Sequence, residues 1–327
     1  SEQSFILSPN KRLERACSDG VTSPIFQCIP FDDLIASSVV SSKKQIPKFN
    51  QIFNKVDEKY LFTFNNELDS LFVVGSNNNT ELRQIHFNEN NNSEETLLMN
   101  QSDDIVCIAS NKEYLATANK DAVVSLYKME DIKNHQINNN SNQLNNSIKP
   151  KFTFPSYTSS ISCISISSEF HTMVFGTRDG SLLFCSLNNG TITKIVNLKQ
   201  KRRPTSLLIT PSWGFVVVCE SEIYDGVLKF NLEVYSINGE LIRSSKENQI
   251  ENEIIAWSTF RNEKGFDFVV FANDKNECYL FEAFYLNNLD KPFFISPSKV
   301  AALSFLNDES VVTITTKDGD FILVPFD

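Results

Sequence analysis

The chain has 327 residues, 41% of them hydrophobic and 21% charged, a balance that supports a large buried core and excludes disorder throughout. Its formal net charge of -10 excludes the uniform basic face that nucleic acid requires, so no nucleic-acid partner is expected. The 7 cysteines stand singly, without CxxC spacing, and read as small core residues in a reducing compartment rather than as a disulfide framework.

The N-terminal SEQSFILSPNKR lacks a charged region followed by an apolar one, and no apolar run of about 18 residues occurs anywhere, so neither a signal peptide nor a membrane span is expected. A cytoplasmic location follows from this reading. The chain starts at Ser1 without Met and reads as part of a longer polypeptide. SFIL and PIFQCIPF, in residues 1–58, are strand-like.

From residue 59 a pattern of short apolar strands separated by Asn, Gly, Asp and Ser clusters recurs, with copies near 59–101, 102–159, 160–203, 204–249, 250–297 and 298–327. The clearest copy is Ile161–Leu198, where ISCISIS, TMVFGT, SLLFCSL and TITKIVNL are separated by SEFH, RDG and NNG. A period of about 45 residues with four strands per copy is that of a β-propeller blade. The expected fold is therefore all-β: one domain over 1–327, a seven-bladed WD40-like β-propeller with a four-stranded antiparallel sheet in each blade. Residues 1–58 supply the remaining blade and share its sheet with the last strands, closing the ring and leaving no exposed edge. Runs such as TMVFG, GFVVVC and FVVFA are apolar throughout because strands inside such a ring are covered on both faces. One tract, 131–150, is polar and dominated by Asn and reads as a mobile insertion within a blade.

Three turns carry an aspartate, Asp121 in NKDA, Asp179 in TRDG and Asp318 in TKDG, placed to accept backbone N–H bonds and fix strand register. A basic segment, Lys199, Lys201, Arg202 and Arg203, falls between two blades and is a candidate contact patch for an acidic partner or anionic lipid head groups, although a solvated loop is the simpler reading. No catalytic, cofactor or metal residues are assigned. His86, His135 and His171 lie in different repeats, and no nucleophile elbow, phosphate loop or dinucleotide fingerprint occurs.

Several stretches resemble the C-terminal WD40 propeller of BEACH-domain proteins, the neurobeachin and beige group. Asp32-Asp33-Leu34-Ile35-Ala36-Ser37 is similar to a short family element with Asp33 in place of Pro; Ile161–Leu198 resembles a family blade nearly end to end; LEVYSINGELIRS and the closing VAALSFLNDESVVTITTKDGDFILVPF match in outline. The chain departs from ordinary WD40 repeats in lacking the Gly-His start and the Trp-Asp finish; Leu126-Tyr127 and Phe184-Cys185 stand at comparable positions, and neither Trp213 nor Trp257 ends a third strand. The resemblance implies a non-catalytic scaffold for protein partners in vesicle trafficking and membrane fusion or fission, peripheral to endomembranes, with a PH-BEACH module in the same full-length chain. A WD40 adaptor of another class, such as a coat subunit or ubiquitin-ligase receptor, is the alternative; a propeller enzyme is a third reading.

Overall fold

Strands of five to seven residues joined by tight polar turns pair with their sequence neighbours, and in the computed structural model of this chain they do so repeatedly. The structure describes residues 62–65, 70–74, 80–87, 93–101, 103–139, 148–155, 159–199, 202–246, 250–287, 289–305, 311–318 and 321–325. The strand-like segments of residues 1–58, the Asp32–Ser37 element and the expected ring closure lie outside the described residues, as do Cys17, Cys28 and Lys201.

Among the described residues there are five four-stranded antiparallel sheets and one three-stranded sheet, each built from strands consecutive in sequence. They comprise β1 (Phe62–Asn65) to β4 (Ser93–Asn100); β5 (Ile105–Ser110), β6 (Tyr114–Asn119), β7 (Val123–Lys128) and β8 (Phe152–Pro155); and β9 (Ile161–Ser167), β10 (Thr172–Thr177), β11 (Ser181–Ser186) and β12 (Ile192–Asn197). The fourth holds β13 (Arg203–Ile209), β14 (Val216–Tyr224), β15 (Val227–Tyr235) and β16 (Leu241–Ser244). The fifth runs from β17 (Ile254–Arg261) through β18 (Asp267–Asn273) and β19 (Glu277–Glu282) to β20 (Phe294–Ile295), and the sixth from β21 (Val300–Phe305) through β22 (Val311–Thr316) to β23 (Phe321–Pro325).

The first strands of consecutive sheets touch one another in order, β1 on β5, β5 on β9, β9 on β13, β13 on β17 and β17 on β21. Apolar clusters fill the wedges between neighbouring sheets. In β10, Met173 and Phe175 join the cluster shared with the second sheet, while Val174, between them, joins the cluster shared with the fourth. Period-two alternation thus persists, but both faces are apolar because both are covered. Phe72, Phe175, Phe184, Phe271 and Phe281 are among the fully buried side chains filling these wedges.

A second regularity is a bulge of one extra residue on the first strand of the second to sixth sheets, at Val106, Ser162, Thr205, Ile255 and Ala301. Opposite it stand Asn119, Thr177, Asn273 and Thr316, each ending the second strand of its sheet, and Glu220, which lies within β14. Three of these close the hairpin that follows: Asn119 Oδ1 accepts the Val123 N–H at 2.9 Å, Thr177 Oγ1 accepts that of Ser181 at 3.1 Å, and Asn273 Oδ1 accepts that of Glu277 at 2.9 Å. Glu220 does not close a turn. Past it, β14 and β15 continue pairing from Ser221↔Phe230 to Tyr224↔Val227, around a turn in which Asp225 and Gly226 both have positive φ, 51° and 77°. That is the geometry of a two-residue primed hairpin, for which Asp-Gly is a preferred sequence.

The Asn-rich tract differs from its expected form at its start. Helix α1 spans Met129–Asn139, with Glu130 and Asp131 in its first turn, and buries Met129 and Ile132 against the cluster between the first two sheets. Two apolar residues three apart are enough to anchor one helical face, and acidic residues at the N-terminus favour the helix dipole. Residues 140–147 lie outside the described residues.

Candidate functional site

The turn aspartates divide. Asp179 accepts the Thr177 hydroxyl, whose oxygen in turn accepts the Ser181 N–H, so it holds the capping residue rather than the turn backbone. At Asp121 it is the backbone N–H that is used, donated to Asp103 Oδ2 at 2.9 Å, while Asn119 caps the turn. Asp318 is exposed, two residues after buried Thr316. In the first two of these turns the capping bond is thus made two residues before the aspartate, by the side chain at the end of the second strand.

The basic segment also divides. Lys199 and Arg203 are exposed, but the Arg202 side chain is only 11% exposed and points into the wedge between the third and fourth sheets. There its Nη1 lies 3.3 Å from Glu220 Oε2 and 3.2 Å from Glu233 Oε1, and its Nε donates to Glu222 Oε2 at 3.1 Å. Tyr235 donates its hydroxyl to Glu233 Oε2, the Ser244 hydroxyl donates to Glu233 Oε1 at 3.1 Å, and Lys199 Nζ stands 3.7 Å from the same oxygen. Arg202 is therefore a structural counter-ion, unavailable to an external anion.

Three carboxylates share that one guanidinium, and Glu220 is fully buried with its Oε1 lacking a hydrogen-bond partner. Burial, reinforced by the charge of Glu233, pushes the Glu220 carboxyl up to about 8. Burial likewise raises the Tyr235 hydroxyl, and its bond to Glu233 adds to the effect. The sequence carried a signal for this cluster: Glu220 and Glu233 are single acids in the otherwise apolar runs VVVCE and FNLEVY, on strands joined by an Asp-Gly turn.

Two surfaces stand at opposite ends of β14. At one end is the extended hairpin, where Ile223, Tyr224, Val227 and Leu228 are between 48% and 65% exposed. At the other, the β13–β14 loop carries Trp213, 61% exposed, whose Nε1–H donates to the Gly265 carbonyl at 2.9 Å. Buried Asp267 fixes this loop by accepting the backbone N–H groups of Ser212 and Trp213 at 3.0 and 2.9 Å, and its own carbonyl accepts the Ala283 N–H at 2.9 Å. Beside Ala283 lie Phe284, 5.7 Å from the Phe215 ring, and Tyr285; the Arg243 guanidinium stands 5.7 Å from both the Phe284 and the Tyr285 ring centres. Neither surface was singled out by sequence reasoning, because exposed aromatic residues read there as further core.

Among the described residues no group of three or more His, Cys, Asp or Glu side chains is placed to hold a metal ion, and no helix is long and apolar enough to cross a membrane. A cleft of about 580 Å³ between β8 and β12 has Lys194 as its one titratable lining side chain, which leaves no acid–base pair there.

No family model matches the chain. Among solved structures, BBS1N in complex with ARL6DN, soaked with mercury, is similar over 80% of this chain and 76% of its own, with a TM-score of 0.55 and 14% identity. The fold is propeller-like. A computationally designed protein, Ika8, matches 81% of this chain and 70% of its own with a TM-score of 0.51 and 15% identity. At these identities the likeness is one of fold.

Proposed function

We propose that this chain is a non-catalytic protein-interaction scaffold, the C-terminal WD40 platform of a BEACH-type protein in vesicle trafficking and membrane fusion or fission. The observation that carries the scaffold reading is the patch of Trp213, Phe284, Tyr285 and Arg243, since Trp, Tyr and Arg are the residues over-represented where binding energy concentrates at interfaces. Trp213 and, through Ala283, the neighbouring Phe284 and Tyr285 sit on segments held by buried Asp267, so little conformational freedom is lost on binding. The occupant that suits it is a peptide segment offering an apolar side chain to the rings and a carboxylate to Arg243. BBS1N, similar in fold, is described in complex with ARL6DN, which supports reading such a ring as a platform for a protein. The trafficking assignment rests on the BEACH resemblance of Ile161–Leu198 and the neighbouring stretches, and the neighbour it implies is a PH-BEACH module upstream in the same polypeptide.

The test has two arms. Sequencing the native transcript upstream of Ser1 should reveal a PH-BEACH module; an upstream region without one removes the BEACH reading and leaves an adaptor of another class. Capture with the chain and with a Trp213→Ala, Arg243→Ala double variant of unchanged melting temperature should give a set of proteins lost from the variant. Identical sets would remove this patch as the docking site.

A further inference from the structure

The β14–β15 hairpin reaches further than its counterparts. Glu220 holds the place at which Asn119, Thr177 and Asn273 close their turns, yet β14 continues for four more residues, Ser221 to Tyr224. At the rise of an antiparallel strand, this carries the Asp225-Gly226 tip about 14 Å past Glu220. The two outermost rungs are apolar on both faces. Strand alternation puts Ile223 and Leu228 on the side of Cys219, toward the fifth sheet, and Tyr224 and Val227 on the side of Val218, toward the third; all four are exposed.

Cations stand just behind them on both faces. Arg203, exposed at the start of β13, is paired with Ser221 and so lies diagonal to Ile223, while Lys229 stands 4.7 Å from the Tyr224 ring centre. Neither has a carboxylate partner among the described residues, and Glu222, opposite Lys229, is held by Arg202 at 3.1 Å. We infer that this hairpin anchors the chain to an anionic bilayer, its apolar rungs entering the head-group region and Arg203 and Lys229 meeting lipid phosphates. A groove on a protein would match one apolar face of a ribbon; a fluid layer surrounds both. Two rungs and a turn suit the interfacial depth of about 5–10 Å, a level at which Tyr is favoured. The unpaired backbone edges of the ribbon and the charge of Asp225 stop it there, since both become costly only deeper in the hydrocarbon. The net charge of -10 belongs to a body held further from the lipid than the screening length of about 8 Å, whereas the two cations lie within it. The anchor is at the opposite end of β14 from Trp213, so it rests neither on the partner patch nor on the BEACH resemblance.

Flotation with phosphatidylcholine vesicles, with and without phosphatidylserine, tests it. The wild-type chain should float with the serine-containing vesicles and bind them more tightly than phosphatidylcholine alone. Leu228→Asp should weaken binding by about tenfold or more, and Leu241→Asp, on the exposed outer strand β16, should leave it unchanged. The Arg203→Gln, Lys229→Gln double variant should erase the preference for serine-containing vesicles, and Asp225→Asn, which removes the charge at the apex, should strengthen binding. The emission of Tyr224→Trp should shift to the blue when vesicles are added. Trp213→Ala should float as the wild type does, which tells the two sites apart. A wild type left behind by anionic vesicles, binding indifferent to Leu228→Asp, or a preference that survives loss of both cations overturns the inference. A chain that ignores vesicles and self-associates through Leu228 overturns it too and assigns the tip to protein.

Discussion

Glu220 and Arg202 meet at 3.3 Å in the wedge between the third and fourth sheets, where the carboxylate is fully buried and the guanidinium also answers Glu222 and Glu233. A segment that reads as a basic surface is thereby partly turned inward, and the extended hairpin gains a rigid base.

Removing the counter-ion should be far more costly than an exposed ion pair would suggest. Arg202→Ala leaves three acidic side chains around one site without their guanidinium, and the expected loss is about 3–5 kcal/mol in urea unfolding above about pH 8, where Glu220 is charged and buried without its partner. Arg202→Lys keeps the charge but loses the fork that reaches several carboxylates at once, so its loss should be smaller. A change near zero for the alanine variant would mean that the network contributes nothing net.

Stability should depend on pH through Glu220. Its folded value near 8 exceeds the ordinary value of 4.5, so between these limits the native chain holds a proton that the unfolded chain has released. Folding from this group is therefore least penalised below the lower value, and stability falls as pH rises through the window, with the full penalty present above the upper one. Glu220→Gln should flatten that slope and gain relative to the wild type as pH rises, measured by denaturant midpoints at several pH values. An unchanged slope would refute the role of Glu220.

Asp267 is the tie that holds the Trp213 loop. Asp267→Ala leaves the N–H groups of Ser212 and Trp213 without an acceptor and should cost about 1–3 kcal/mol. The local signature is faster amide exchange across 210–214 and a shift in tryptophan emission. A global loss without these changes would place the role of Asp267 elsewhere.

Core packing supplies a reference for these values. Phe271 is buried between the fourth and fifth sheets, stacked on Tyr279 at 4.9 Å and edge-on to Phe281 at 6.0 Å. Phe271→Ala should destabilise by about 3–5 kcal/mol in urea unfolding. Gly176→Ala tests the opposite fault, because an added Cβ would lie 2.6 Å from Pro204 Cγ and 2.7 Å from Cys163 Sγ; overpacking of this kind costs about 1–3 kcal/mol.

Strands and turns were the legible part of this chain. ISCISIS, TMVFGT and SLLFCS are β9, β10 and β11 almost to the residue, because coverage of both faces leaves each strand apolar and each turn polar. Helix α1 was hidden by composition: its mean character is polar, and only the spacing of Met129 and Ile132 betrays the buried face. The carboxylate cluster was hidden for another reason. Its members are 13 residues apart in sequence at Glu220 and Glu233, and only the pairing of β14 with β15 places them on one face. Trp213, Phe284 and Tyr285 converge through Asp267, a long-range tie that no local pattern announces.

The cysteines lend the molecule a practical property. Cys107, Cys163, Cys185, Cys219 and Cys278 are free and buried, and burial pushes each thiol up to about 12, so none of them is a thiolate near neutral pH. A cysteine placed at exposed Val227 would then meet little competition for a maleimide dye from these five thiols. The hairpin becomes an address at which a fluorophore or crosslinker can report on whatever approaches this rim, while the interior stays chemically silent.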